Sequence, residues 1–183
     1  IPYIFGTLEG SDKNLMPVDA ALEKSGIVSL VDEAVDINTN RKEVLFASGE
    51  KISYQKLVLA TGSTPLKPNW LIGADLENVF VVPKDKQYLD EMKNKLGPVK
   101  NIAVIGAGFI GVELSDELNK HGYNVTLIEK KHNILNLAFD IEVAEKIHEL
   151  LVSRGVNIIE GKGISKVIGK TKVEAIELED GQM

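Results

Sequence analysis

Asn101-Ile102-Ala103-Val104-Ile105-Gly106-Ala107-Gly108-Phe109-Ile110-Gly111 is the stretch that decides the fold of this 183-residue chain. Its apolar run reads as a buried strand that enters a glycine-rich turn and then opens a helix. Gly106, Gly108 and Gly111 supply the spacing G-x-G-x-x-G. The next apolar run, Asn124 to Ile128, closes on Glu129, 18 residues beyond Gly111. Strand, glycine turn, helix, strand and acid in that order form a dinucleotide-binding pattern.

Each residue type answers a chemical need. Gly106 permits a tight turn off the strand. A bare Cα at Gly108 lets the backbone approach a pyrophosphate, and Gly111 lets helix and strand pack closely. The helix start then presents unpaired N–H groups and its positive dipole end to phosphate. Glu129 is placed to accept hydrogen bonds from an adenosine ribose.

Composition narrows the rest. Apolar residues make up 44% of the chain, enough for a core, and the formal net charge is −6. No dense Lys/Arg run with interleaved aromatics occurs, which argues against a nucleic-acid surface. No apolar run approaches the roughly 20 residues of a membrane span, and no signal-peptide pattern is present. The sequence holds no cysteine, so disulfides, thiolate metal sites and cysteine redox chemistry are excluded within it. Its three histidines, His121, His132 and His148, lack metal-ligand spacing. We expect a cytoplasmic protein with no metal. The chain starts at Ile1 and ends just past an Asp180-Gly181 turn signal, so the reading is a fragment of a longer protein.

Working outward from the glycine loop, residues 100–160 read βαβαβ, with a helix at about 109–121 whose Ile110, Leu114 and Leu118 share one face. Asp140 is a plausible N-cap for a helix to about Arg154, and Val156–Glu160 is the third strand. Ile164–Ile168 and Lys172–Leu178 read as a hairpin. Upstream, Asp85–Leu96 is a helix closed by Gly97-Pro98, Val79–Val82 a short strand, and 63–78 a Pro-containing connector. Residues 1–16 read as irregular, and Pro17–Lys24 as a short helix ended by Gly26. The Val/Ile/Leu-rich segment 27–37, Glu43–Phe46 and Lys51–Tyr54 then form a β-meander. Lys56–Ala60 reads as a strand buried on both faces.

A second motif follows from that run: Tyr54-Gln55-Lys56-Leu57-Val58-Leu59-Ala60-Thr61-Gly62-Ser63-Thr64-Pro65. It delivers Ala-Thr-Gly to a tight turn, where Gly62 permits close backbone approach to a ligand. Paired with the glycine loop about 45 residues later, it resembles the pyridine nucleotide–disulfide oxidoreductases. Within that family it is most similar to the NADH oxidase, NADH peroxidase and coenzyme A-disulfide reductase branch. The resemblance covers essentially the whole chain. Ile1-Pro2-Tyr3-Ile4-Phe5-Gly6 is similar to the segment after the branch's redox cysteine, in the pattern C-x-x-P-Y, which would place that cysteine two residues before Ile1.

The resemblance implies a fold and a set of roles. The fold class is α/β: a Rossmann-type parallel sheet with β-meander forms the NAD(P)-binding domain, beside an incomplete portion of an FAD-binding domain. The expected boundaries are 1–66 for the FAD-domain portion and 67–183 for the NAD(P)-binding domain, truncated before its last strand. Ala34, Ala60, Thr61 and Gly62 would contact FAD. Gly106, Ala107, Gly108, Phe109, Ile110, Gly111, Glu113, Glu129 and Lys130 would contact NAD(P)H, with Phe109 shielding the flavin and Glu113 near the nicotinamide carboxamide. Catalytic residues proper are expected upstream of Ile1.

Departures from the family pattern are equally informative. The FAD domain's own glycine motif and its later G-D motif are missing, and Gln55 replaces the usual Asp of Y-D-K-L. Leu30 stands near the position of a lysine that contacts coenzyme A, which counts against that substrate.

The implied activity is FAD-dependent NAD(P)H oxidation. Hydride passes to flavin, and electrons pass on to a disulfide, peroxide or oxygen as a small-molecule acceptor, in a full-length homodimer. This piece alone is expected to be inactive. Glu129 favours NADH over NADPH, because its carboxylate repels a 2′-phosphate, although Lys130 and Lys131 partly offset it. Two alternatives stand: a ferredoxin or rubredoxin reductase-type flavoprotein, and a non-catalytic NAD-binding sensor domain.

Overall fold

The computed structural model describes residues 7–8, 11–14 and 18–183. The segment Ile1–Gly6 and the proposed helix-start Pro17 lie outside the described residues. The fold is α/β, and it divides into two units: Leu15–Gly62, and Ile1–Asn14 together with Ser63–Met183.

In the unit Leu15–Gly62, helix α1 (Val18–Lys24) gives way to a turn at Gly26, whose φ of +70° suits glycine. Strands β1 (Ala34–Asn38), β2 (Glu43–Phe46) and β3 (Lys51–Ser53) form the expected antiparallel meander in that order. Asn38 makes the first turn by accepting the Arg41 N–H at 2.9 Å. Val44 is the one buried hydrophobic of this unit among the described residues.

Two expectations fail here. Ile27–Glu33 carries no strand, and neither does Lys56–Ala60, where Val58 is 85% and Leu59 67% exposed. A doubly buried strand needs ladder neighbours and a layer on each face. Among the described residues this unit supplies neither to the 56–60 run, so its composition alone does not make it a strand.

The second unit carries helix α2 (Lys86–Leu96), then β4 (Asn101–Ile105), α3 (Phe109–Lys120), β5 (Asn124–Glu129), α4 (Ile141–Ser153) and β6 (Asn157–Glu160). Asp85 caps α2 by accepting the Tyr88 N–H at 2.9 Å. The three strands are parallel in the order β4-β5-β6, with Asn101 opposite Asn124 and Glu129 opposite Glu160. At the start of the sheet the Asn124 amide donates to the Asn101 side-chain oxygen at 3.0 Å. Hairpin β7 (Ile164–Ile168) and β8 (Ala175–Leu178) follows, its second strand starting later than Lys172.

One core joins Leu89, Met92 and Leu96 of α2 to Val104, Leu114, Leu118, Leu127, Leu151 and Val156. On the other side of the sheet, Ile128 packs with Ile164 and Leu178 of the hairpin. β4 is therefore not buried throughout: Val104 is 7% exposed, but Ile105 is 47% exposed on the opposite face. Helix α3 buries Gly111, Leu114, Ser115 and Leu118, an i, i+3, i+4, i+7 stripe, and leaves Ile110 52% exposed. Ile110 lies off that stripe, next to the loop rather than over the sheet. Val79–Val82 is likewise no strand; Phe80 and Val82 pack on the core without a ladder partner. Among the described residues no helix is long and apolar enough to cross a membrane.

Candidate functional site

The glycine loop sits where β4 hands over to α3, at the carboxyl end of the parallel sheet. Gly106 has φ +93°, a left-handed conformation that L side chains rarely adopt. A Cβ on Gly111 would lie 1.9 Å from the Gly106 carbonyl oxygen, so only glycine lets α3 approach the turn this closely. A Cβ on Gly108 would meet nothing within 4 Å. The space in front of Gly108 is open, as a ligand cradle requires. Gly108 is also the N-cap of α3 with no side-chain cap, and the bond from Val112 N–H to the Gly108 carbonyl, at 3.0 Å, closes the first turn. The N–H groups of Phe109, Ile110 and Gly111 precede that turn and belong to the positive end of the helix.

Glu129 completes the loop. Its Oε2 accepts the Ala107 N–H at 2.7 Å, and its Oε1 accepts the Lys131 N–H at 2.8 Å. Each carboxylate oxygen accepts more than one bond, so both keep capacity for a ribose hydroxyl. Ala107 is 1% exposed, and its carbonyl accepts the Leu135 N–H at 2.8 Å. The loop is thus tied to β5 and to the segment after it. Lys130 turns away from the loop: its Nζ lies 2.7 Å from Glu179 Oε1.

Phe109 is 55% exposed and meets Phe139 edge to face, with centroids 5.6 Å apart at 80°. A shallow hollow lined by Leu137, Phe139, Asp140 and Val143 lies beside that pair. Glu113 is exposed one turn after Phe109, on the same side of the helix. The structure thus brings Gly106, Ala107, Gly108, Gly111 and Glu129 into one constellation, with Phe109, Ile110 and Glu113 at its exposed helix start and Lys130 at its rim.

Sequence reasoning missed three residues here. Phe139 backs Phe109. Glu160 accepts the Ile134 N–H at 2.7 Å and pairs with His148 at 3.0 Å. Glu179 holds Lys130. None follows from local pattern, though an acid at the end of the third parallel strand was a signal for Glu160.

The residues assigned to FAD belong to the unit Leu15–Gly62. Ala34 opens β1, is exposed, and pairs with Phe46 beside a register shift. Ala60, Thr61 and Gly62 are exposed and lie outside any strand, with Gly62 at a left-handed φ of +76°. No hydrogen bond or strand pairing among the described residues joins Ala34 to residues 60–62. Nor do the described residues hold a cluster of three or more His, Asp or Glu able to bind a metal ion.

Comparison with known proteins agrees with this geometry. The sequence profile described as pyridine nucleotide-disulphide oxidoreductase matches residues 7–183. The chain is 30% identical to the NAD(P)H coenzyme A polysulfide/persulfide reductase of Pyrococcus horikoshii, covering 100% of this chain and 41% of the relative. It is 29% identical to an NADH oxidase of Methanocaldococcus jannaschii, covering 100% and 42%. A ferredoxin reductase of Rhodopseudomonas palustris shares the fold, with a TM-score of 0.87 at 24% identity over 99% of this chain and 46% of that one. The chain spans about two fifths of the length of the curated relatives it matches. With a glycine loop, a strand-end acid and a family profile that runs over nearly all its residues, the chain belongs to the pyridine nucleotide-disulphide oxidoreductase family.

Proposed function

We propose that the chain is the nucleotide-presenting part of an FAD-dependent NAD(P)H oxidoreductase, and that its nucleotide is NADH. The observation that carries the reading is the Glu129 carboxylate, fixed on the Ala107 N–H at the mouth of the loop. Gly106 to Gly111 cradle the pyrophosphate against the start of α3, and Glu129 takes the adenosine ribose. A carboxylate there accepts both ribose hydroxyls and repels a 2′-phosphate. Phe109, Ile110 and Glu113 lie toward the nicotinamide, with Phe109 as a ring that yields to it. Ala34, Ala60, Thr61 and Gly62 are the FAD contacts of this chain, and residues 1–66 and 67–183 are its FAD-domain and NAD(P)-domain portions.

Bound nicotinamide and flavin would supply the hydride chemistry, while this chain binds, orients and excludes water. In the whole protein, a cytoplasmic homodimer, electrons leave to a disulfide, peroxide or oxygen. The names of the two archaeal relatives, an NADH oxidase and an NAD(P)H-dependent persulfide reductase, support that class of reaction.

Titration of the intact protein with NADH and NADPH tests the choice of nucleotide. NADH binds more tightly, and Glu129→Ala weakens it by about tenfold to hundredfold, the range for hydrogen bonds to a charged group, while narrowing the gap to NADPH. Tighter NADPH than NADH binding in the unaltered protein would sink the assignment.

A further inference from the structure

β5 ends on Glu129, and a residue of opposite charge, Lys130, follows it directly. Glu129 turns back to the loop and Lys130 turns the other way, toward the far end of the β7–β8 hairpin. There its ammonium meets Glu179 at 2.7 Å. Glu179 is itself set in place by backbone. Its N–H donates to the Gly163 carbonyl at 2.9 Å, and its carboxylate lies over the bare Cα of Gly163, where a Cβ would stand 2.7 Å from the carboxyl carbon. Gly163 is buried and immediately precedes β7. Lys162, the residue before Gly163, is also engaged: it pairs with Asp180 at 2.6 Å and donates to the Gln182 side chain at 2.9 Å. The end of β5 and the segment that enters β7 are stitched together, since the Lys162 N–H donates to the Glu129 carbonyl at 3.2 Å.

We propose that Glu179 is a specificity-determining residue of the nucleotide site. By holding the Lys130 ammonium at the open end of the hairpin it withholds that cation from a 2′-phosphate, and so adds to the discrimination against NADPH. The inference rests on the reading of Glu129 as the ribose acid, because that places the 2′ position of the nucleotide beside Lys130. A 2′-phosphate at that position carries close to two negative charges and needs a cation. Glu129 repels it, and of the two lysines that follow Glu129, the nearer one, Lys130, is already engaged by Glu179.

The pair is exposed, 69% for the Lys130 side chain and 47% for Glu179, so it is not strongly held by attraction alone. Its influence comes from competition. A phosphate must displace Glu179 from Lys130 and then tolerate the displaced carboxylate nearby. The hydrogen-bonded ammonium also holds the Glu179 carboxyl below its ordinary value.

The test is calorimetric titration of the intact protein with NADH and NADPH, at low and at high salt. Glu179→Gln tightens NADPH about threefold to tenfold at low salt and leaves NADH within about twofold, as expected for an exposed, screened charge. The gain disappears in the Glu179→Gln, Lys130→Met double variant and shrinks at high salt. Gly163→Ala pushes the Glu179 carboxylate aside and reproduces part of the gain without changing any charge. An unchanged NADPH-to-NADH ratio in Glu179→Gln overturns the proposal, as does a gain that survives the loss of Lys130. Glu129→Ala in the same titrations separates the two ideas. If it weakens NADH while Glu179→Gln moves nothing, only the role of Glu179 falls. If it leaves NADH binding unchanged, the ribose assignment falls and takes the role of Glu179 with it.

Discussion

Glycines of the same loop differ in what a methyl group would meet. At Gly111 it meets the Gly106 carbonyl oxygen at 1.9 Å, and at Gly108 it meets open space. Gly111→Ala therefore forces α3 away from the turn and costs about 1–3 kcal/mol, the range for overpacking. Gly108→Ala leaves stability within about 0.5 kcal/mol, as surface changes do, and instead crowds the phosphate approach. Thermal melting paired with nucleotide titration checks both: a lower Tm for the first variant, an unchanged Tm with weakened NADH for the second. A Gly108→Ala protein that binds NADH normally would remove the pyrophosphate from that space. These distinctions were legible in the sequence, because the G-x-G-x-x-G spacing fixes which glycine faces the turn and which faces the helix. The Lys130–Glu179 contact was not, since the two residues are 49 apart and neither lies in a motif.

At the scale of elements, α3 does more than open the loop. Its Glu117, 4% exposed, accepts both the N–H and the hydroxyl of Thr7 and pairs with Lys120 at 2.9 Å. Burial pushes the Glu117 carboxyl up, but the Thr7 and Lys120 hydrogen bonds outweigh it and leave the group below its ordinary value of 4.5. A carboxyl depressed by folding stabilises the fold above its unfolded value and loses that contribution as pH falls through the folded value. We expect Tm to drop on acidification below 4.5, and to drop less in Glu117→Gln, which starts about 1–3 kcal/mol less stable at neutral pH because buried bonds are already lost. Equal acid sensitivity in both proteins would dismiss Glu117 as the titrating group.

The helices and parallel strands of this unit were readable from the sequence because periodicity and caps are local. The Lys56–Ala60 and Val79–Val82 runs were misread for a complementary reason. An apolar run shows that a segment seeks burial, whereas a strand also needs a neighbour to pair with, which local composition does not reveal.

At the scale of the molecule, the two units differ in how much they bury. Leu15–Gly62 has Val44 as its one buried hydrophobic among the described residues, while the other unit holds two cores on opposite faces of a sheet. Local stability follows buried contact. In the 183-residue chain by itself, amides of β1–β3 exchange with solvent at least tenfold faster than those of β4–β6, a difference of about 1.4 kcal/mol or more. Hydrogen-exchange mass spectrometry reads this directly, and equal protection in the two sheets would refute it.

The Asn101–Asn124 amide rung lies at the opposite end of the parallel sheet from the glycine loop. A one-residue slip between these strands would turn every inward side chain outward. A polar rung that holds only when like residues face each other guards against that slip, and it does so about 17 Å from the glycine loop, the length of a five-residue strand. The alignment of the sheet and its chemistry are thereby kept at separate ends. Changes in the loop can retune what is bound without loosening the frame that aims it.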